Sequence, residues 1–323
     1  MTQPNCEPLQ YPSADKNHII AGYLYTLPGA APRAVIQISH GMCEYIGRYR
    51  HLIDFFTAQG FAVAGNDHLG HGASAPPEDR GHFADKNGYR CILADLKTMN
   101  DKLHQRFPGL PVVLYGHSMG SFFARWYAEL WPDTIDALIL SGTAGPSPRN
   151  RLGLALARVT AAVAGQRYHS ALVIRAQTGC NCWRIPDGVS HNAWVSRDPA
   201  VVAAYDADPG CQFNFTAAAY RDMLTALTHV SSRKWAASLP KDLPVLLVAG
   251  TDDPVGDYGS GVREVYALLG DAGMQDLTCQ IYEGGRHEMH NETNRAELFA
   301  DELAWLDSRL FGGQGRPQDR PEE

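Results

Sequence analysis

The sequence predicts a doubly wound, mostly parallel α/β sheet with a helical segment inserted between two of its strands. Three observations carry this expectation. Short, almost wholly apolar runs recur along the 323 residues, as strands covered on both faces require. Amphipathic helical patterns alternate with them, which implies crossovers between parallel strands. The alternation lapses between about residues 145 and 239, where no convincing core strand occurs.

In chain order, His18 to Tyr25 is expected as an antiparallel edge strand. Strands at Ala34 to Ser39, Phe61 to Ala64, Pro111 to Tyr115, Ala137 to Leu140, Leu243 to Ala249 and Leu277 to Tyr282 follow. Helices are expected at Ile46 to Gln59, Tyr89 to Phe107, Ser121 to Leu130, Val262 to Leu269 and Ala296 to Leu310. The clearest is the second, where Ile92, Leu93, Leu96, Met99, Leu103 and Phe107 recur every three or four residues. The insertion opens at Pro146-Ser147-Pro148 and closes at Leu239-Pro240, with helices near Leu152 to Ala164, Pro199 to Tyr205 and Thr216 to His229. The expected organisation is therefore a core in two parts, 1–144 and 240–311, a helical cap at 145–239, and a tail at 312–323. Without large apolar side chains, that tail is expected to be disordered.

Composition excludes several classes of function. A net charge of −7 offers no electrostatic reason to bind nucleic acid. No run approaches the roughly 20 apolar residues of a membrane span. The start Met1-Thr2-Gln3-Pro4 lacks the basic and apolar regions of a secretion signal, so a cytoplasmic location is the expectation. Seven cysteines, an odd and irregularly spaced set, suggest reduced thiols. Cys180 and Cys182, with Cys211 and His191 nearby, lack zinc-knuckle spacing, and no metal is expected.

The chemistry concentrates at Gly116-His117-Ser118-Met119-Gly120, between an apolar strand and a helical pattern. Strand, sharp G-x-S-x-G turn and helix form a nucleophile elbow, which exposes the serine hydroxyl at the end of the sheet. A serine needs a base and an oxyanion site to react. The histidine base and the acid are sought later in the chain, on loops after later strands. His287, in Glu283-Gly284-Gly285-Arg286-His287, follows the last strand and is the favoured base. His290 is assigned an exposed position at the start of the final helix. After Leu243 to Ala249, Gly250-Thr251-Asp252-Asp253-Pro254 offers two carboxylates, of which Asp253 is favoured and Asp252 is the alternative. Ser39-His40-Gly41-Met42 follows an early strand, so the backbone N–H groups of Met42 and Met119 are the expected oxyanion donors. The loop from Asp67 to Ser74 holds two histidines and an aspartate, and is expected to be structural. No residue is assigned to substrate binding.

Together these motifs resemble the monoacylglycerol lipase and lysophospholipase-like branch of the α/β-hydrolases, the serine aminopeptidase-type family. The resemblance rests on His40-Gly41-Met42-x-Glu44, Asn66-Asp67-His68-Leu69-Gly70-His71-Gly72, the elbow, Gly250-x-x-Asp253-Pro254 and the His287 loop. It extends to Trp194-Val195-Ser196-Arg197-Asp198-Pro199 in the cap. It implies Ser118 as nucleophile, Asp253 as orienting acid, His287 as base, a lipid ester as substrate and no cofactor. Three positions depart from the family: Cys43 and Tyr45 beside the oxyanion loop, and Ser121 in place of a third glycine after the elbow. Beside that loop, Cys43 is expected to make activity sensitive to bulky thiol reagents. The apolar segment from Leu152 to Val163, with Arg151 and Arg158 beside it, suggests transient contact with a membrane surface or a packed cap helix. A peptidase or amidase, a thioesterase and a non-catalytic binding protein are the competing expectations. The oligomeric state is not legible.

Overall fold

The computed structural model describes residues 3–179, 181–185 and 190–312. Its framework is one eight-stranded sheet: β1 (Asn5–Pro12), β2 (Ile19–Thr26), β3 (Ala34–Ser39), β4 (Phe61–Asn66), β5 (Val112–His117), β6 (Ala137–Ser141), β7 (Val245–Gly250) and β8 (Leu277–Tyr282). The spatial order is β1-β2-β4-β3-β5-β6-β7-β8, antiparallel at the first two pairings and parallel thereafter. The doubly wound, mostly parallel sheet expected from the alternating pattern is the one observed. One correction concerns its edge. Residues 18–25 do not form the edge strand, because β1 pairs outside β2 along its whole length.

Period-two alternation divides the strand residues between two faces. Val35, Val112, Leu114, Leu138, Val245 and Leu247 join one apolar cluster. Ile36, Ile38, Val113, Tyr115, Ile139, Leu246 and Val248 join the other. On the first face lie α2 (Gly88–Arg106), α3 (Met119–Leu130) and α9 (Ser260–Asp271). On the second lie α1 (Arg50–Ala58) and α10 (Arg295–Leu310).

Between β6 and β7 the chain forms α4 (Pro148–Val163), α5 (Ala171–Thr178), α6 (Pro199–Ala207), α7 (Ala217–Val230) and α8 (Arg233–Ser238). Side-chain caps start all five: Ser147, Ser170, Asp198, Thr216 and Ser232 each accept a backbone N–H of the first turn. Leu154, Ala157, Val173 and Leu224 bring this segment into the same cluster as α3. The helices α5 and α8 were not expected from the sequence. Cys180 and the tail beyond residue 312 lie outside the described residues.

One buried carboxyl links the fold to pH. Glu302 on α10 is fully buried. Burial pushes its pKa up to about 8, and the neighbouring Asp301 charge acts in the same direction. The unfolded chain releases this proton near pH 4.5, whereas the folded protein keeps it to about 8. Stability therefore falls as pH rises through that window, by on the order of 1 kcal/mol per pH unit. Glu302→Gln should gain on the wild type between pH 5 and pH 9 in urea unfolding. A stability difference that does not change with pH would contradict this origin.

Candidate active site

The turn from β5 into α3 forces Ser118 into a left-handed backbone conformation, φ +51° and ψ −123°. Two glycines make it feasible. A Cβ on Gly116 would lie 2.6 Å from the Ala124 Cβ, and one on Gly120 would lie 1.9 Å from the Ser39 carbonyl oxygen. The turn thus packs directly against the end of β3. Ser118 is partly exposed while Met119, Gly120 and His117 around it are buried.

His287 reaches Ser118 from the loop after β8. Its Nε2 accepts the Ser118 hydroxyl at 2.8 Å, and its Nδ1–H donates to Asp253 Oδ1 at 2.9 Å. Asp253 is fully buried, and its Oδ1 also accepts the Val255 N–H at 2.9 Å. Burial works against a charged imidazole here. The Asp253 charge and hydrogen bond, with smaller contributions from Glu288 and Glu44, still hold the His287 pKa above its ordinary value. The acid and base loops touch directly: a Cβ on Gly250 would lie 1.8 Å from the Gly285 oxygen, which also accepts the Asp252 N–H at 2.8 Å. The Asp252 residue is exposed and its side chain takes no part in this row.

Part of the His287 loop is held by the helical insertion. His287 N–H donates to the Trp194 carbonyl at 3.3 Å and Glu288 N–H to Val195 at 2.7 Å. Arg286 reaches the Ala193 and Ser196 carbonyls at 2.6 and 3.0 Å. The Trp194 ring lies 5.1 Å from that of His287. In the sequence these residues appeared only as a family-like stretch of the insertion, with nothing to mark them as supports of the His287 loop.

Met42 and Met119 line the same cavity as Ser118 and His287. Met119 opens α3, so its N–H has no acceptor within the helix. The Met42 turn is braced on both sides. Glu44 accepts the Gly41 N–H and, at 2.7 Å, the Tyr49 hydroxyl. His40 Nδ1–H donates to the Gly41 oxygen at 2.9 Å, His71 Nε2 accepts the Cys43 N–H at 3.3 Å, and Asp67 accepts the Ile46 N–H at 3.0 Å. The Asp67 to Ser74 loop therefore supports the Met42 turn from beneath. Arg48 lies between Glu288, at 2.6 Å, and Glu44, at 3.8 Å. Burial, then the nearby Glu288 charge, raises the Glu44 pKa, while Arg48 opposes the shift.

Two expectations need correction. His290 is not an exposed start to the last helix: it is fully buried, stacked on Tyr49 at 4.4 Å, and its pKa is driven well below normal by burial. Cys43 is not the accessible thiol that reagent sensitivity would require. It is buried at φ +55°, donates to the Phe213 carbonyl at 3.2 Å, and burial pushes its pKa well up. Among the described residues no cluster of three or more His, Cys, Asp or Glu is placed to hold a metal ion.

The row opens into a cavity of about 430 Å³. Phe122, Met223, Leu224, Leu227 and Val255 contribute apolar lining, whereas Glu44, Glu288, Asn150 and Gln177 contribute polar lining.

Fold and site together define an α/β-hydrolase. The chain belongs to the family described as serine aminopeptidase, S33, which matches residues 30–294. It is similar to the monoacylglycerol lipase of Mycolicibacterium smegmatis, 31% identical over 88% of this chain and 91% of that one. The human monoglyceride lipase is 28% identical over 95% of each chain. Among solved structures, a thermostable carboxyl esterase from Bacillus coagulans superposes with a TM-score of 0.89 at 30% identity, covering 94% of this chain and 99% of that one.

With its thiol buried and protonated, Cys43 should resist N-ethylmaleimide in the native protein at pH 7, while the exposed Cys6 reacts. Peptide mass mapping after a short exposure distinguishes them. Equal labelling of both cysteines would contradict the burial of Cys43.

Proposed function

We propose that this carboxylic ester hydrolase cleaves monoacylglycerol-type lipid esters through an acyl-enzyme on Ser118. The observation that carries the proposal is the hydrogen-bonded row Ser118–His287–Asp253 at a cavity lined by both apolar and polar side chains. In the first half-reaction His287 Nε2 takes the Ser118 proton as Oγ attacks the ester carbonyl. Negative charge develops on the former carbonyl oxygen, opposite the N–H groups of Met42 and Met119. Asp253 keeps the Nδ1–H tautomer and stabilises the imidazolium. Collapse of the tetrahedral species transfers the proton from His287 to the leaving alkoxide, and glycerol departs. Water then repeats the sequence on the acyl-serine, releasing the fatty acid and restoring Ser118.

The lipid ester is favoured by the lining and by the names of the relatives. Apolar side chains from α3 and α7 suit an acyl chain, and the polar group around Glu44 and Glu288 suits a small polyol. Those two carboxylates flank Arg48, which makes them poor receptors for the free amine of a peptide substrate.

Fluorophosphonate labelling of the wild type and Ser118→Ala, with monooleoylglycerol hydrolysis followed alongside, tests the proposal. Labelling and fatty-acid release should both disappear in the variant. Release of p-nitroaniline from an aminoacyl anilide, with no ester turnover, would move the reading to amide chemistry.

The outer face of the insertion supports contact between its cap helices and lipid. Leu152, Val159 and Val163 on α4 are 72%, 61% and 84% exposed, on the face opposite the buried Leu154, Ala157 and Ala161. The exposed Arg151 and Arg158 flank the stripe and suit anionic headgroups. No helix of the described residues is long and apolar enough to cross a membrane. Replacing all three exposed residues with serine should cut co-flotation with phosphatidylglycerol vesicles several-fold while leaving hydrolysis of p-nitrophenyl acetate unchanged. Equal flotation would remove the contact.

A further inference from the structure

Glu292, between His287 and α10, is fully buried, and its carboxylate accepts four N–H groups. Oε1 takes the backbone N–H of Arg197 at 2.8 Å and that of Arg286 at 3.0 Å. Oε2 takes the Arg197 Nε–H at 2.9 Å and the Thr293 backbone N–H at 3.0 Å. One carboxylate thus joins the helical insertion to the residue that precedes His287. With two donors on each oxygen, an amide could not replace it, because its NH2 end would face two N–H groups. Bonds to a charged acceptor are also the stronger kind.

Further ties run alongside. The Arg286 guanidinium reaches the Ala193 and Ser196 carbonyls, and the His287 and Glu288 N–H groups reach those of Trp194 and Val195. The Ser196 hydroxyl donates to the Asn291 carbonyl at 3.2 Å. Residues 286–292 are therefore fastened along 193–197 from end to end. Their links to the loop after β7 are of another kind. Asp252 N–H donates to the Gly285 carbonyl and Gly284 N–H to Thr251 Oγ1, both before Arg286. The segment that holds His287 also forms a wall of the cavity, because Trp194 lines it together with Ser118.

We propose that Glu292 is a positioning residue that clamps the His287 loop to the 193–197 segment, so that the aim of His287 at Ser118 depends on docking of the insertion. The inference rests on His287 acting as the base, as proposed above. Glu292 touches none of the reacting atoms; it acts through the backbone beside His287. A displacement of the insertion is then passed to the imidazole, and one of about 1 Å is enough to cost on the order of a hundredfold in rate.

Kinetics on p-nitrophenyl butyrate test it. Glu292→Gln should lower kcat about tenfold to a hundredfold with KM unchanged, and slow fluorophosphonate labelling by a similar factor. Arg197→Met removes one of the four donors at a partly exposed side chain and should lower kcat about threefold to tenfold. Arg286→Met should lower kcat alone but add little to Glu292→Gln, because both open the same clamp. In each variant the downfield Nδ1 proton of His287 should move upfield as its bond to Asp253 loosens, which a general loss of stability would not cause in the folded fraction. Full kcat in Glu292→Gln, an unmoved His287 proton, or additive losses in the double variant would overturn the clamp while leaving Ser118 chemistry intact. Should Glu292→Gln fail to fold, full kcat in Arg197→Met would overturn it. No turnover and no fluorophosphonate labelling of folded wild type would instead overturn the hydrolase proposal.

Discussion

The contact on which the site depends is the approach of the elbow to the end of β3, made where Gly120 faces the Ser39 carbonyl without a side chain between them. That approach fixes where α3 begins, and with it the direction of the Met119 N–H. It also sets β3 and β5 side by side, in register from Val35 against Val112 to Ser39 against Gly116. Parallel strands end at one edge of the sheet, so the Met42 turn after β3, Ser118 after β5, Asp253 after β7 and His287 after β8 gather there. A non-glycine residue at φ +51° costs on the order of 1–3 kcal/mol, and it persists only because the packing around it leaves no alternative.

The parts of the molecule legible in the sequence are those encoded by local pattern. Apolar runs marked β3 to β7, strands buried along their whole length, and a mostly apolar run marked β8, the half-buried far edge. Ser118, Asp253 and His287 were found because each follows such a run, and in the structure they stand in one hydrogen-bonded row. β1 escaped notice for the opposite reason. Its sequence NCEPLQYP is polar and mostly exposed, so it is defined by pairing with β2 and carries little apolar signature of its own. At six residues, α8 was too short to show periodicity.

What could not be seen depends on partners distant in sequence. His290 looked exposed because its neighbours are polar, but its environment is Tyr49 and His117, brought in by other elements. Nothing beside Arg125 in the sequence marks it as buried. The end of α7 and the Trp235 ring, more than a hundred residues later, close over it. Cys43 shows the same limit at the backbone, because its left-handed conformation follows from the loop that His71 and Glu44 hold.

Burial acts on the ionisable groups around the elbow with one consistent result. His40, His68, His71, His117 and His290 are all buried, and burial lowers the pKa of each. His40, His68, His71 and His117 serve as neutral donors or acceptors, whereas neither ring nitrogen of His290 has a partner among the described residues; His68, at about 3, stays neutral well into acid. His287 is equally buried, yet its pKa moves upward, because it alone among these rings is hydrogen-bonded to a carboxylate. The one imidazole in contact with Ser118 is therefore the ring of this group whose charged form is favoured. His117, whose ring centre lies 4.8 Å from that of His287, is further discouraged from charging by repulsion from it. The surrounding histidines are held neutral by burial, and contact with a single carboxylate sets His287 apart from them.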